Sequence, residues 1–152
     1  MVKLSEFLTN TQICLELQAT DKEGVITELA EYIKEADGMK NFNAFLKDVF
    51  KREDVATTGI GGEVAIPHAR TDAVESFVIA FGRSSEGVDF KALDSKPCKL
   101  FFMLGTPKDQ VPQYLQILAH LTRLLKDQAF CNELLAAKTP ETVIHVFEDA
   151  EK

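Results

Sequence analysis

Lys99-Leu100-Phe101-Phe102-Met103-Leu104 runs almost without a polar break between Pro97 and Gly105. A run this short and this apolar predicts a central strand buried on both faces, rather than one with a wet side. Such a strand needs a layer on each side, and the rest of the chain offers them. Val25, Ile26, Leu29, Ala30 and Ile33 recur at helical spacing after Thr20-Asp21-Lys22-Glu23, which reads as a capping-box start, and Gly38 offers a stop. Asn41 can cap a second helix with Phe42, Phe45, Leu46, Val49 and Phe50 along one face, bringing Lys51 and Arg52 to its last turn. Ile13, Leu15 and Leu17 alternate with polar neighbours as a strand, and residues 64–66 and 77–81 are two further strands.

The second half of the chain is mostly helical. Pro112 suits the first turn of a helix over 111–125, where Leu115, Ile117, Leu118, Leu121, Leu124 and Leu125 cover much of the circumference and predict a well-buried element. Asp127 can cap a helix bearing Phe130, Leu134 and Leu135, and Thr139-Pro140 opens a last one with Val143, Ile144 and Phe147. The expected architecture is one α/β domain over residues 1–152: a mixed β-sheet flanked by α-helices, with a helical C-terminal part. At 152 residues, 45% of them hydrophobic, the chain is long enough for a proper core.

Composition removes several function classes. The net charge is −7 and there is no basic run, so nucleic acid is not the expected partner, whereas an acidic surface suits a basic protein. The opening residues MVKLSEFLTNTQ lack the apolar core of a secretory signal, and no apolar run approaches a membrane span, which points to a cytoplasmic protein without direct membrane insertion. Cys14, Cys98 and Cys131 are odd in number and form no CxxC, as expected of reduced core thiols. His68, His120 and His145 have no clustered ligand spacing, so no metal is expected, and no G-x-S-x-G elbow suggests a hydrolase.

The chemistry concentrates in Thr57-Thr58-Gly59-Ile60-Gly61-Gly62-Glu63-Val64-Ala65-Ile66-Pro67-His68-Ala69-Arg70. Glycines allow φ > 0 and close backbone approach, and Pro67 biases Ile66 toward an extended conformation. The segment reads as loop, short strand, then an imidazole held at the strand's end. A nucleophilic or proton-transferring histidine needs one ring nitrogen free and the other fixed by a hydrogen bond. A plain histidine beside a glycine turn has the same spacing. The loop is no nucleotide P-loop, because G-x-x-x-x-G-K-[ST] is absent.

TGIGGEVAIPHAR resembles the phosphorylation-site segment of the enzyme IIA domains of the fructose/mannitol class in the bacterial phosphoenolpyruvate-dependent sugar phosphotransferase system, which includes the nitrogen-regulatory IIA proteins. That pattern is roughly T-G-[IL]-G-x-x-[IV]-A-[IV]-P-H, preceded by an Arg-Glu pair. Arg52-Glu53 stand in the corresponding place, and the likeness continues through Gly87-Val88-Asp89-Phe90-Lys91-Ala92-Leu93-Asp94 and Leu115-Gln116-Ile117-Leu118-Ala119. The resemblance implies a phosphotransferase component with a phosphohistidine at His68, Nε2 as the reacting nitrogen and Nδ1–H held by a backbone carbonyl. It needs no cofactor.

Arg52 is then the candidate for stabilising the phosphoryl oxygens, since a guanidinium presents a planar fork to phosphate; at a helix C-terminus it also simply balances the dipole. Backbone N–H groups of residues 57–62, with Thr58 and Gly61 as secondary candidates, can supplement it. Many members of the family carry a second histidine in the pattern H-[IL]-x-x-[IL]. Aligning Leu115-Gln116-Ile117-Leu118 puts Tyr114 there instead, and His120, over one and a half turns further on, is expected to point elsewhere. A tyrosine can donate a hydrogen bond to phosphate but carries no positive charge.

The implied function is that of a free-standing phosphocarrier. It would accept a phosphoryl group on His68 from the histidine-containing phosphocarrier protein and pass it to a IIB cysteine for sugar uptake. The alternative is a nitrogen-regulatory protein whose phosphorylation state controls a regulatory target. A non-phosphorylated binding domain is a third reading.

Overall fold

The computed structural model describes residues 2–152. Two 3-10 turns, Leu4–Glu6 and Asn10–Gln12, lead into β1 (Ile13–Cys14), α1 (Lys22–Glu31), α2 (Phe42–Val55), β2 (Gly59–Gly61), β3 (Val64–Ala65), β4 (His68–Arg70), β5 (Val78–Val88), β6 (Cys98–Thr106), α3 (Val111–Leu125), α4 (Gln128–Ala136) and α5 (Pro140–Ala150). The mixed sheet has the order β1-β5-β6-β3-β2, with β4 also paired to β6. β5 and β6 run antiparallel, whereas β3 and β4 both lie parallel to β6.

The apolar run forms β6, and it is central. Leu100, Phe102 and Leu104 join a core with Ile117 and Leu121 of α3, Leu134 of α4 and Phe147 of α5. Phe101 and Met103, on the alternate face, join a second core with Ile26 and Leu29 of α1 and Phe45 and Val49 of α2. The result is a sheet covered by helices on both faces, the α/β architecture expected. Asn41, Asp127 and Thr139 cap α2, α4 and α5 through their side chains, as expected.

Several elements differ from the sequence reading, each for a local reason. The cap of α1 is Asp21, whose carboxylate accepts from the Gly24 N–H, rather than Thr20. That helix stops at Glu31, and Gly38, with φ +98°, closes the turns that follow it. β1 is only two residues long, although Leu17 N–H still reaches the Arg83 carbonyl of β5 at 2.8 Å before the N–H groups of Gln18 and Ala19 turn to the Glu28 carboxylate on α1. β5 is longer than expected, extending through Val88. The α3 helix has the expected bounds but not the expected burial, for Val111 and Leu115 lie exposed.

The 57–62 segment is part of a β-hairpin, not an open loop. β2 pairs antiparallel with β3 across a two-residue turn in which Gly62 (φ +63°) and Glu63 (φ +70°) are both left-handed, as a hairpin turn matched to strand twist requires. Asp94 accepts the Gly62 N–H and holds the turn from outside.

Candidate functional site

His68 opens a strand of its own. Register along β6 carries on from Val64↔Leu100 and Ala65↔Phe101 in β3 to His68↔Leu104 in β4. Between them Pro67 has no N–H to give, but its carbonyl still accepts from Leu104 N–H at 3.0 Å. The Ile66 N–H points the other way, to the Thr58 carbonyl at 3.0 Å. This leaves the Ile66 carbonyl available, and His68 Nδ1 lies 2.7 Å from it. A carbonyl only accepts, so Nδ1 carries the proton and Nε2 keeps its lone pair.

That lone pair faces Tyr114, whose hydroxyl donates to Nε2 at 3.2 Å. Tyr114 sits in the first turns of α3, and its ring centroid is 5.8 Å from that of His68. His68 itself is buried, with 7% of its surface exposed. Burial pushes the imidazole below its usual range, outweighing the Ile66 hydrogen bond that acts the other way; Arg52 and Arg70 lower it further and Glu53 partly offsets them. The ring is thus neutral at neutral pH, with the Nδ1 proton fixed on the Ile66 carbonyl and the Nε2 lone pair turned to Tyr114.

Two cations bear on this ring. Arg52, in the last turn of α2, donates to the Ala56 carbonyl at 2.8 Å, so it closes its own helix end while its charge reaches His68. Arg70 lies two residues beyond His68 in the same strand and therefore on the same face, with its guanidinium carbon 5.3 Å from the Tyr114 ring centroid. The sequence reading gives Arg70 no role, although period-2 alternation from His68 places it here once residues 68–70 are recognised as a strand.

Thr58 and Gly61 sit in the hairpin rather than against the imidazole. Both the N–H and the hydroxyl of Thr58 donate to the Glu53 carboxylate, at 2.7 and 2.6 Å. Gly61 lies in β2 with φ +101°, opposite Val64. The N–H groups of Gly59 and Gly62 are taken by the Thr57 hydroxyl and the Asp94 carboxylate. The N–H groups of Thr58, Gly59 and Gly62 are thus engaged in building the segment. His120 is buried beside Glu151, 2.6 Å from its carboxylate, and His145 is exposed on α5; neither is the group facing His68.

Residues 6–150 match the family described as phosphoenolpyruvate-dependent sugar phosphotransferase system, EIIA 2. The chain is 41% identical over 137 residues to the PTS system fructose-specific EIIA component of Haloferax volcanii, covering 90% of this chain and 89% of that protein. It is 34% identical over 151 residues to the PTS system fructose-specific EIIABC component of Bacillus subtilis; this takes in 99% of the chain but only 24% of that longer relative. Among solved structures it is similar to the nitrogen regulatory protein IIA-Ntr of Neisseria meningitidis, with a TM-score of 0.87 and 28% identity over 95% of this chain and 98% of that one. No helix among the described residues is long and apolar enough to cross a membrane.

Proposed function

The chain belongs to the EIIA 2 family of the phosphoenolpyruvate-dependent sugar phosphotransferase system, and on that premise we propose that it is a phosphocarrier in which His68 Nε2 holds the phosphoryl group. The observation that carries this reading is the 2.7 Å hydrogen bond from Nδ1–H to the Ile66 carbonyl, which leaves Nε2 unprotonated. In the forward step that lone pair attacks the phosphorus of a phosphohistidine on the histidine-containing phosphocarrier protein. The Nε2–P bond forms as the donor's N–P bond breaks, and the donor imidazole leaves with the electron pair. The Nδ1 proton stays on His68 throughout, and the Ile66 carbonyl supports the charge that the phosphorylated ring acquires.

Arg52 and Arg70 supply positive charge for the oxygens of the transferring group, which is where transition-state stabilisation is needed. Tyr114 must give way from the Nε2 lone pair before phosphorus can approach, and its hydroxyl then has a phosphoryl oxygen to donate to. The second transfer runs in reverse from His68 to the thiolate of a IIB cysteine, the thiolate sulfur forming the new bond while Nε2 regains its lone pair. The likeness to a fructose-specific EIIA component supports sugar uptake as the destination.

A regulatory role is the second reading, favoured by the likeness to a nitrogen regulatory protein. There the phosphorylation state of His68 would control a regulatory target, with no delivery to a sugar. The experiment for the shared site is labelling from phosphorylated carrier protein: His68→Ala should take up none while keeping its fold, and persistent histidine labelling would overturn the assignment. Transfer onward from labelled wild type to isolated IIB domains then separates transport from regulation.

A further inference from the structure

Glu53 is a buried carboxylate in the last turn of α2, its side chain 4% exposed. It receives Lys22 Nζ at 2.8 Å, the Thr58 N–H at 2.7 Å and the Thr58 hydroxyl at 2.6 Å. Lys22 begins α1, where the helix dipole disfavours a cation, so its own helix gives no reason for a charge there. It reaches instead into the gap beside Glu53, where it also donates to the Phe90 carbonyl at 3.3 Å and lies 4.9 Å from the Phe90 ring centroid. A buried ion pair is a poor route to stability, because well-packed apolar groups of similar volume often do as well. Stability alone is therefore a weak account of it.

The hydrogen bonds continue from this carboxylate to the imidazole. The Thr58 carbonyl accepts from the Ile66 N–H at 3.0 Å, and the Ile66 carbonyl accepts from His68 Nδ1–H at 2.7 Å. Glu53 therefore holds Thr58, Thr58 holds Ile66, and Ile66 selects the ring's tautomer. The links cross from helix to hairpin to the junction of β3 and β4 at Pro67, a residue with no N–H of its own to give the sheet.

We propose that Glu53, locked by Lys22, is a positioning residue for His68, setting the Ile66 carbonyl that keeps Nε2 unprotonated and aimed outward. The proposal deepens the phosphocarrier reading and rests on it for its kinetic consequence, though not for its structural one. Glu53 touches no phosphoryl group. It acts through two backbone links, and its negative charge also offsets Arg52 and Arg70 at the ring.

Two variants and two readouts test this. Glu53→Gln keeps an acceptor for the Thr58 N–H and a donor for its hydroxyl. The double variant Lys22→Met with Glu53→Leu removes the anchor without leaving a buried charge unpaired. The ring nitrogens of His68 are read by 15N chemical shift in the unphosphorylated protein, and transfer from phosphorylated carrier protein is split into kcat and KM. The double variant should show mixed tautomers and a kcat lower by about tenfold or more with little change in KM, as expected for a misplaced nucleophile. Glu53→Gln should restore the single tautomer and most of kcat. A double variant with the wild-type tautomer and kcat overturns the proposal, as does a Glu53→Gln variant no better than it. Wild type that shows the Nδ1–H tautomer but never becomes labelled at His68 would instead sink the phosphocarrier reading alone.

Discussion

The Tyr114 hydroxyl donates to His68 Nε2 at 3.2 Å, on the nitrogen that the Ile66 hydrogen bond leaves unprotonated. The phenol therefore covers the lone pair in the resting protein and is the nearest neutral donor for a phosphoryl group placed there. Removing the hydroxyl both frees the nucleophile and deletes that donor. A neutral hydrogen bond is worth about 1 kcal/mol net, so Tyr114→Phe should slow transfer by no more than about fivefold. Tyr114→His, which can carry positive charge, should speed it. A hundredfold loss in the Phe variant, measured as the rate of His68 phosphorylation, would show that the phenol does more than donate one neutral bond.

Arg52 has one task at its helix end and, in the proposed mechanism, a second at the phosphoryl group, and mutation can separate them. Its bond to the Ala56 carbonyl closes α2, worth about 1 kcal/mol, whereas a preorganised charge at a transferring phosphoryl group is worth about 3 kcal/mol of barrier, or about a hundredfold in rate. Arg52→Ala should thus slow transfer strongly and lower Tm only slightly. Ordinary transfer with a large drop in Tm would assign the residue to its helix end alone. Arg70→Ala, read in the same assay, should also slow transfer, because Arg70 shares the face of His68.

What the sequence reveals here is what local chemistry decides. The two-faced burial of β6 follows from an uninterrupted apolar run, and the caps at Asn41, Asp127 and Thr139 follow from side chains that satisfy their own helix ends. β4 is hidden because its partner, β6, lies far along the chain, and β2, whose partner β3 is only a two-residue turn away, because its own residues carry little strand signal. Gly59-Ile60-Gly61 has little intrinsic preference for extension, and Pro67 disguises the register shared by Ala65 and His68 against β6. Arg70 is lost with the strand that positions it. The Glu53–Lys22 pair joins residues thirty-one apart, which no spacing rule detects. Leu115, 57% exposed, shows the opposite error: apolar identity is no guarantee of burial, and at 3.6 residues per turn it points about 150° away from the centre of the arc that holds Ile117, Leu121 and Leu124.

The depressed pKa of His68 fixes a pH dependence. The unfolded ring titrates near 6.5 and the folded ring lower, so below 6.5 the unfolded state takes up the proton first. The stability contribution is whole above 6.5, falls as pH drops from there through the folded value, and levels off below it. In the proposed transfer the same neutral ring is the nucleophile, so the acid limb of the transfer rate should lie below 6.5. An NMR titration of His68 gives the value directly, and a midpoint above 6.5 would contradict the burial argument. His68→Asn should flatten this part of the stability profile.

Glu151 ties the two ends of the chain to α3. Its carboxylate accepts the Leu4 N–H at 2.6 Å and the Ser5 N–H at 3.0 Å at the start of the first 3-10 turn, and pairs with His120 Nε2 at 2.6 Å. Burial alone would raise its pKa, but the hydrogen bonds from His120, Ser5 and Leu4 outweigh that and hold it below the usual 4.5. Because the folded value is the lower one, this stabilisation is complete above 4.5 and disappears as pH falls through the folded pKa. Glu151→Ala leaves two N–H groups and a buried imidazole without their acceptor, which should cost about 3 kcal/mol at neutral pH. The loss should shrink toward zero in acid, where wild type has lost the same contacts. Transfer at His68 should stay near the wild-type rate, since His120 faces Glu151 and Tyr114 faces the site. Denaturant unfolding of both proteins from pH 3 to pH 7 measures the first effect. A constant difference across that range would show that the carboxylate's charge is not what holds the ends together.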